Sequence, residues 1–170
     1  MSAIAAAPAP TTTPTPCAVR DVEHGVGLFA ARPIEAGATI LEIRGTLQGH
    51  ATRYSIQLDA GLHIEADAAL PDHEMRLRHP WRFLNHCCDP NARVEGRTLV
   101  ARRAIRADEQ ITFDYTTTEL DMAEPFACLC GAEGCVGLVR GYAHLAPEAQ
   151  RARADRIAPH LRALPAQRER

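Results

Sequence analysis

Short runs of alternating apolar and polar residues, separated by turn-forming residues, recur through the middle of the chain. The clearest two occupy residues 54–59 and 62–65 on either side of Ala60-Gly61, which predicts a β-hairpin. Residues 98–101 and 110–115 predict two further short strands. The pattern therefore indicates one mainly β domain of many short strands and little helix.

The glycine-rich stretch of residues 25–30 formally matches the fingerprint of a dinucleotide site. However, Pro33 follows too soon for the helix that such a loop must open. The pattern instead favours a strand over residues 26–30 whose glycines allow something to approach the backbone. We expect this strand to pair with residues 39–43 around the turn at 35–37.

Helical signals are short. Residues 72–78 predict one helix, which Pro80 stops. Residues 147–157 predict a terminal helix with proline in its first turn. Pro159 and Pro165 prevent one long continuous helix at this end of the chain.

Composition divides the 170 residues into a leader, a core and a tail. Residues 1–16 are almost only Ala, Pro and Thr, which predicts a disordered leader; residues 17–20 predict a short edge strand. Residues 17–145 carry 13 Arg and 18 acids, whereas residues 146–170 carry 6 Arg and 3 acids. This balance argues against a nucleic-acid-binding domain. It fits either a cleft for a cationic group or a solvated acidic surface.

Nothing in the sequence resembles a membrane span or a secretory signal. No apolar run approaches the roughly 20 residues that a bilayer requires, and the first residues lack basic side chains. We therefore expect a cytoplasmic protein whose thiols stay reduced and more often bind metal than form disulfides. There is no lysine in the chain, so it cannot modify lysines of its own.

Residues 82–91 have the sequence RFLNHCCDPN, and two later stretches, residues 111–115 and 128–135, are expected to contact this segment. Apolar residues that could continue a buried strand lead into Asn85 and His86. Two thiols and an Asp-Pro-Asn turn follow. These polar side chains are therefore expected where a strand gives way to a tight turn, within reach of other segments.

Cys128, Cys130 and Cys135 place three thiols in eight residues, with glycines between them. In a strand, residues two apart point the same way, so Cys128 and Cys130 could bind one ion. Structural zinc takes four ligands, often all thiolates. The fourth ligand would be either Cys87 or Cys88. Two adjacent residues cannot easily both face one metal, so one of these thiols would be spare.

Together these residues resemble the SET-domain family of protein lysine methyltransferases, over about residues 19–145. The motifs occur in the family's order. They are the 25–27 glycine strand, Tyr54 with the following Leu-Asp, the 82–91 stretch, Phe113-Asp114-Tyr115, and the cysteine cluster, which is similar to a post-SET segment. The resemblance implies a SET-type fold of several small sheets with a knot-like crossing, a zinc-bound post-SET loop and a C-terminal helix. It implies domains at 17–120 and 121–145, followed by a partly helical tail at 146–170.

The resemblance also implies residue roles. Cys88 becomes the fourth zinc ligand beside Cys128, Cys130 and Cys135. Tyr115 becomes the catalytic tyrosine, with Tyr54 and Phe113 lining the lysine channel. The residues implied to bind S-adenosylmethionine are Val26, Gly27, Arg82, Asn85, His86, Tyr115 and Leu138. Leu138 departs from the family pattern, since this position is often an aromatic residue that covers the adenine.

The implied activity is methyl transfer to a lysine of a protein substrate, without nucleic-acid or membrane partners. In proteins that this chain resembles, phenylalanine at the position of Phe113 goes with di- or trimethylation and tyrosine with monomethylation. One alternative is a catalytically silent SET fold that binds a basic peptide. Such a chain should have lost Tyr115 or the Asn85-His86 pair. A plain zinc scaffold would leave those motifs unexplained.

Overall fold

The structure of the protein is a computed structural model that describes residues 15–23 and 25–163. Residues 1–14, which include most of the predicted leader, lie outside the described residues, as do residues 164–170. The predicted tail is described as far as residue 163.

The described residues form twelve short β-strands, three short α-helices and three 3₁₀ turns. The strands are β1 (Cys17–Val22), β2 (Gly25–Ala30), β3 (Thr39–Glu42), β4 (Thr46–Gln48), β5 (Ile56–Asp59), β6 (Leu62–Glu65), β7 (Asn85–His86), β8 (Ala92–Glu95), β9 (Thr98–Ala101), β10 (Gln110–Phe113), β11 (Phe126–Ala127) and β12 (Leu138–Val139). The helices are α1 (Asp72–Arg78), α2 (Pro147–Arg151) and α3 (Pro159–Arg162), and the 3₁₀ turns are Pro80–Phe83, Tyr115–Thr117 and Tyr142–His144.

Four small sheets contain these strands, in the orders β1-β2-β10-β7, β3-β9-β8, β4-β6-β5 and β11-β12. The mainly β prediction is confirmed, as are the edge strand β1, the β5–β6 hairpin and helix α1. The predicted pairing of residues 26–30 with 39–43 is wrong, because β2 pairs with β1 and β10 while β3 pairs with β9. Between β2 and β3, Ile34 bridges to Ile105, so the chain crosses to another sheet instead of turning back.

The parallel pair β7–β10 brings two distant segments together. Asn85 lies opposite Thr112, and His86 lies opposite Phe113. Parallel strands require a crossover connection, and here β8 and β9 lie within it. The segment before β7 is not the predicted strand, because Pro80 opens a 3₁₀ turn that runs to Phe83. The knot-like crossing that the resemblance implies near these strands stays a prediction.

A single large apolar cluster connects three of the sheets. Leu28, Ile43, Ile64, Leu99 and Ile111 are fully buried in it. Burying a side chain of this size contributes roughly 1.5–3 kcal/mol to folding, so these positions fix how the sheets pack. A second, smaller cluster around Cys88, Cys128 and Val139 lies beneath the cysteine-rich loop.

The C-terminal segment packs back onto the sheets, although its helix is shorter than predicted. α2 ends at Arg151, and residues 152–156 form turns in place of the expected helix to residue 157. The backbone N–H of Ala158 donates to the carbonyl of Thr117 at 2.8 Å. No helix in the described ranges is long and apolar enough to cross a bilayer.

The turn after α2 places Arg153 against the carboxylate of Asp114, next to the Tyr115 turn. Arg153 Nε lies 2.7 Å from Asp114 Oδ2, and both side chains are buried. Arg156 Nη2 lies 3.8 Å from the same oxygen and donates to the carbonyl of Cys88 at 3.3 Å. The basic tail is therefore part of the folded core in this region, and it neutralises a buried acid.

We expect Arg153→Ala to lower the free energy of unfolding by about 3–5 kcal/mol, because Asp114 would keep a buried charge without its closest partner. Urea unfolding followed by circular dichroism measures the change. The exposed Arg151 supplies the control: Arg151→Ala should change the free energy by less than about 0.5 kcal/mol. Equal stabilities for the two variants would contradict this role.

Candidate functional site

A pocket that opens to solvent lies between the β5 hairpin, the 3₁₀ turn before β7 and the end of β10, and about 460 Å³ of empty space, part of it open solvent, lies within its bounds. Its walls combine apolar and aromatic side chains with nearly as much polar surface, which includes two arginines and a glutamate. The lining residues are Thr52, Arg53, Tyr54, Ser55, Ile56, Trp81, Arg82, Leu84, Phe113, Tyr115, Glu119, Met122 and Ala123. Pockets that combine apolar walls with convergent polar groups are the usual form of a binding site.

Tyr115 is fixed in this pocket at both ends. Its hydroxyl donates to the carbonyl of Leu84 at 2.5 Å, and its backbone N–H donates to His86 Nδ1 at 3.1 Å. Burial raises the pKa of the Tyr115 hydroxyl, and the nearby Glu119 raises it further, so the phenol stays protonated at neutral pH. Tyr115 is therefore a rigid hydrogen-bonding group rather than a nucleophile.

Phe113 and Tyr115 both line the pocket, with ring centroids 4.7 Å apart. They do not share one strand as predicted. Phe113 ends β10, and the Asp114 side chain accepts from the Thr116 N–H and opens a 3₁₀ turn at Tyr115. Phe113 is buried, so its ring forms an inner wall of the pocket.

Tyr54 lies at the pocket rim and is 44% exposed. The guanidinium carbon of Arg82 lies 3.8 Å from the centroid of the Tyr54 ring, and that of Arg53 lies 5.6 Å from it. Arg82 Nε is buried and has no hydrogen-bond partner among the described residues. This wall of the pocket therefore has an unsatisfied cationic donor.

Asn85 and the glycine strand β2 meet on another side of the site. Asn85 Nδ2 donates to the carbonyl of Val26 at 3.0 Å. A Cβ atom at Gly27 would lie 3.3 Å from Asn85 Nδ2 and 2.5 Å from Gln110 Nε2, so a larger residue would displace these side chains. The glycines were expected to allow something close to this backbone, and at Gly27 the neighbours are the side chains of Asn85 and Gln110.

His86 uses both ring nitrogens inside the protein. Nδ1 accepts from the Tyr115 N–H, which leaves the proton on Nε2, and Nε2 lies 3.2 Å from Cys88 Sγ. Burial lowers the pKa of His86, which keeps the ring neutral. The imidazole therefore connects the pocket to the cysteine cluster and has no free nitrogen for a ligand.

The sulfurs of Cys88, Cys128, Cys130 and Cys135 all lie within 4.8 Å of one another. Cys88 Sγ and Cys128 Sγ are 3.9 Å apart, close to the roughly 3.8 Å between ligands of a tetrahedral zinc–thiolate site with bonds of about 2.3 Å. Cys87 is outside this group and its thiol faces the carbonyl of Asp89. The strand expected at Cys128 is absent from the structure, because β11 ends at Ala127 and a loop brings the sulfurs together.

Glu119 is a pocket residue that the sequence analysis missed. It follows four buried residues, Asp114 and Thr116–Thr118, and is itself only 5% exposed. Its Oε1 accepts from the Gln57 N–H at 2.8 Å and from the Thr118 hydroxyl at 3.1 Å. Burial raises the pKa of Glu119 to about 7. The one sequence signal for its burial was the uncharged stretch of residues 115–118 that precedes it.

A family profile described as "SET domain" matches residues 25–116, more than half of the chain. The chain belongs to the SET-domain family. The match begins at β2 and ends within the Tyr115 turn, so it contains the β7–β10 pair and most of the pocket wall.

Curated relatives of this SET domain include a "Histone-lysine N-methyltransferase, H3 lysine-4 specific" of Saccharomyces cerevisiae, 45% identical over 144 residues. The alignment covers 71% of this chain and 13% of that protein. A protein of the same name from Debaryomyces hansenii is 34% identical, with 69% of this chain and 12% of that protein covered. "Methyltransferase flvH" of Aspergillus flavus is 31% identical, with 64% and 57% covered. The chain thus spans about an eighth of the length of the first two and somewhat over half of the third.

Solved structures show the same fold. "Crystal structure of KRYPTONITE in complex with mCHG DNA and SAH" aligns with a TM-score of 0.52 at 23% identity, covering 70% of this chain and 27% of that one. The methyltransferase domain of human histone-lysine N-methyltransferase SETMAR aligns with a TM-score of 0.50 at 19% identity, covering 71% and 56%. The expected SET-type fold is confirmed.

The site of this SET domain brings most of the sequence-predicted residues together. Tyr54, Arg82, Phe113 and Tyr115 line the pocket, while Asn85 contacts the β2 backbone. Leu138 does not line the pocket; it lies on β12 and is 53% exposed. The roles assigned to these residues stay predictions, since geometry alone does not show binding.

We expect the purified protein to contain about one zinc ion, and Cys130→Ser to lower that content and loosen the segment from residue 128 to 137. Cys87→Ser is the matched control and should leave the metal content unchanged, because the Cys87 thiol lies outside the four-sulfur group. Elemental analysis by mass spectrometry gives the stoichiometry. Metal loss in Cys87→Ser, or none in Cys130→Ser, would contradict the assignment.

Proposed function

We propose that this protein transfers methyl groups from S-adenosylmethionine to a lysine side chain of a protein substrate. The pocket carries the proposal: Tyr54, Phe113 and Tyr115 line it next to strand β7, in a chain of the SET-domain family. The names of the relatives support the reaction, since two are histone-lysine methyltransferases.

S-adenosylmethionine would supply an electrophilic methyl group on a sulfonium. The residues of this chain have other tasks. An amine attacks only when neutral, whereas free lysine has a pKa near 10.4. An apolar aromatic wall disfavours the ammonium form and aligns the amine. The Tyr115 hydroxyl, fixed by Leu84, adds an oriented polar group to that wall.

The residues fit such a methyl donor. Its amino-acid part carries a carboxylate, and the buried Arg82 Nε is an unpaired donor in the pocket wall. We propose that Arg82 binds this carboxylate and that Asn85 and the backbone of Val26 and Gly27 hold the rest. His86 would contribute through its backbone, because both ring nitrogens are engaged. Leu138 would close over the adenine.

We propose zinc for the four-sulfur group. Four thiolates suit zinc, and the spacing of Cys88 and Cys128 matches its size. The ion would connect the loop that contains Cys128, Cys130 and Cys135 to Cys88, which follows strand β7. Its role would be structural. Reduced thiols are required, which agrees with the cytoplasmic location expected from the sequence. We keep the domain boundaries expected from the sequence, at residues 17, 120 and 145.

We propose that the substrate is a lysine side chain of a protein, and the sequence does not identify which protein. Two relatives act on histone H3 lysine 4 by name, so recombinant histone H3 is the first candidate. The experiment uses radiolabelled S-adenosylmethionine with the enzyme and either histone H3 or a cell lysate, and mass spectrometry locates the labelled lysine. Absence of labelled lysine in both would refute the proposed function.

We expect Tyr115→Phe to lower kcat by about 10²-fold or more with little change in the affinity for S-adenosylmethionine. The lost hydroxyl should act on the charge that shifts in the transition state, while the remaining ring preserves the wall. Single-turnover rates and calorimetric titration with the methyl donor separate the two effects. Methylation by Tyr115→Phe at the parent's rate would show that the hydroxyl is not used.

We expect the parent to produce di- or trimethyl lysine and Phe113→Tyr to stop mainly at monomethyl lysine. The buried Phe113 ring offers no hydrogen bond, so water can leave and a methylated amine can turn its lone pair back. A phenol at this position would hold a water or the amine in place. Mass spectrometry of saturating reactions gives the product ratio. A parent enzyme that stops at one methyl group contradicts this account.

A further inference from the structure

Glu119 supplies a carboxylate to the pocket, and no other residue in the described wall does so. One of its oxygens, Oε1, is used by the Gln57 N–H and the Thr118 hydroxyl. The other oxygen, Oε2, accepts no hydrogen bond from the described residues. Glu119 thus lines a pocket proposed to receive an amine, with Oε1 anchored and Oε2 without a hydrogen bond.

The groups packed around Glu119 do not neutralise it. From β6, His63 Nε2 lies 3.9 Å from Oε2. Burial lowers the pKa of His63, and His50 and His160 lower it further, which favours the neutral ring. From α3, His160 Nε2 bonds to the Thr118 carbonyl. Tyr115 is a protonated phenol.

The two arginines of the pocket wall are directed elsewhere. Arg53 pairs with the exposed Glu124 at 3.2 Å, and Arg82 stacks on Tyr54. Neither makes an ion pair with Glu119 within the described part of the chain. A buried carboxylate without a cation is costly, and this cost is why the pKa of Glu119 is raised to about 7. A cationic substrate group would remove the cost.

We propose that Glu119 receives the ammonium group of the substrate in the pocket and accepts a proton from it. This inference rests on the proposed function, which requires the amine to be neutral. One N–H bond of the ammonium breaks, an O–H bond forms on Oε2, and the electron pair stays on nitrogen. The products are a neutral amine and a protonated carboxyl group, so charge and atoms balance.

The proton then leaves Glu119 for solvent through the pocket mouth, which the exposed Tyr54 borders. A group with a pKa near 7 can both take up and release a proton at neutral pH, as an acid–base group requires. The same exchange can occur before each further methyl transfer. The aromatic wall disfavours the ammonium form but does not accept its proton. Glu119 would accept that proton.

A structural role for Oε1 can be separated from this one. Glu119→Gln keeps a side-chain oxygen for the Gln57 N–H and the Thr118 hydroxyl but cannot take up a proton. Glu95→Gln is the control, since Glu95 is an exposed acid on β8 that pairs with Arg93. Thermal unfolding of both variants shows whether either loses its fold.

The first test needs no turnover and uses N-α-acetyl-lysine amide as a probe in calorimetry. We expect the parent and Glu95→Gln to bind it more tightly as the pH rises from 6 to 8. We expect Glu119→Gln to bind it at least tenfold more weakly at pH 8, without that pH dependence. Equal binding by Glu119→Gln and the parent would overturn the proposal. Binding as expected without methylation of any protein would overturn the proposed function only.

The second test is the pH dependence of kcat/KM on a peptide that spans the lysine labelled by the parent. If Glu119 takes the proton, the parent rate should rise to about pH 7 and stay level to about pH 9. Glu119→Gln depends on amine that is already neutral, so its rate should rise about tenfold per pH unit. Its deficit should be on the order of 10²–10³-fold at pH 7.5 and should shrink as the pH rises. A merely structural role would give a deficit that is constant with pH.

The parent profile by itself can also refute the proposal, even if Glu119→Gln does not fold. A parent rate that rises tenfold per pH unit from pH 7 to pH 9 would show that the enzyme uses only amine that is already deprotonated in solution. A level profile in the parent together with a rising one in Glu119→Gln supports Glu119 as the acceptor.

Discussion

The parallel pairing of β7 with β10 is the constraint on which this site depends. It sets His86 beside Phe113, and the His86 ring then joins the Tyr115 N–H on one side to Cys88 Sγ on the other. Both ring nitrogens are satisfied, so the ring has one orientation and one tautomer. A two-residue strand thereby fixes the direction of the pocket tyrosine relative to the cysteine cluster.

The two buried acids on either side of Tyr115 differ in their partners, because Asp114 has arginine partners and Glu119 has none among the described residues. Asp114 precedes it and is neutralised by Arg153 and Arg156 from the C-terminal segment. Glu119 follows it, lines the pocket and has His63, whose pKa is lowered by burial, 3.9 Å from Oε2. A paired buried acid stabilises the turn, whereas an unpaired one at a cavity stays ready to react with a cation.

The sequence predicted the elements better than their partners. The hairpin of β5 and β6, helix α1 and edge strand β1 follow from local alternation and turn chemistry, which act over a few residues. The partner of β2 could not be read in the same way, because pairing depends on which distant strand completes a sheet. Close spacing predicted the sulfurs of Cys128, Cys130 and Cys135, whereas the choice of Cys88 over Cys87 came from the family resemblance.

Glu119 escaped the sequence analysis for a physical reason that bears on its role. Glutamate is almost never fully buried unless it is paired, so an acid in a loop is normally assigned to the surface. Here the side chain contacts Gln57 of β5, 62 residues away in sequence, and lies near His63 of β6, so that its burial depends on the packing of distant elements. A fold that merely needed an acceptor for the Gln57 N–H could use an uncharged side chain at lower cost. A carboxylate whose second oxygen accepts no hydrogen bond from the described residues is what the proposed amine-binding pocket requires and a plain scaffold does not.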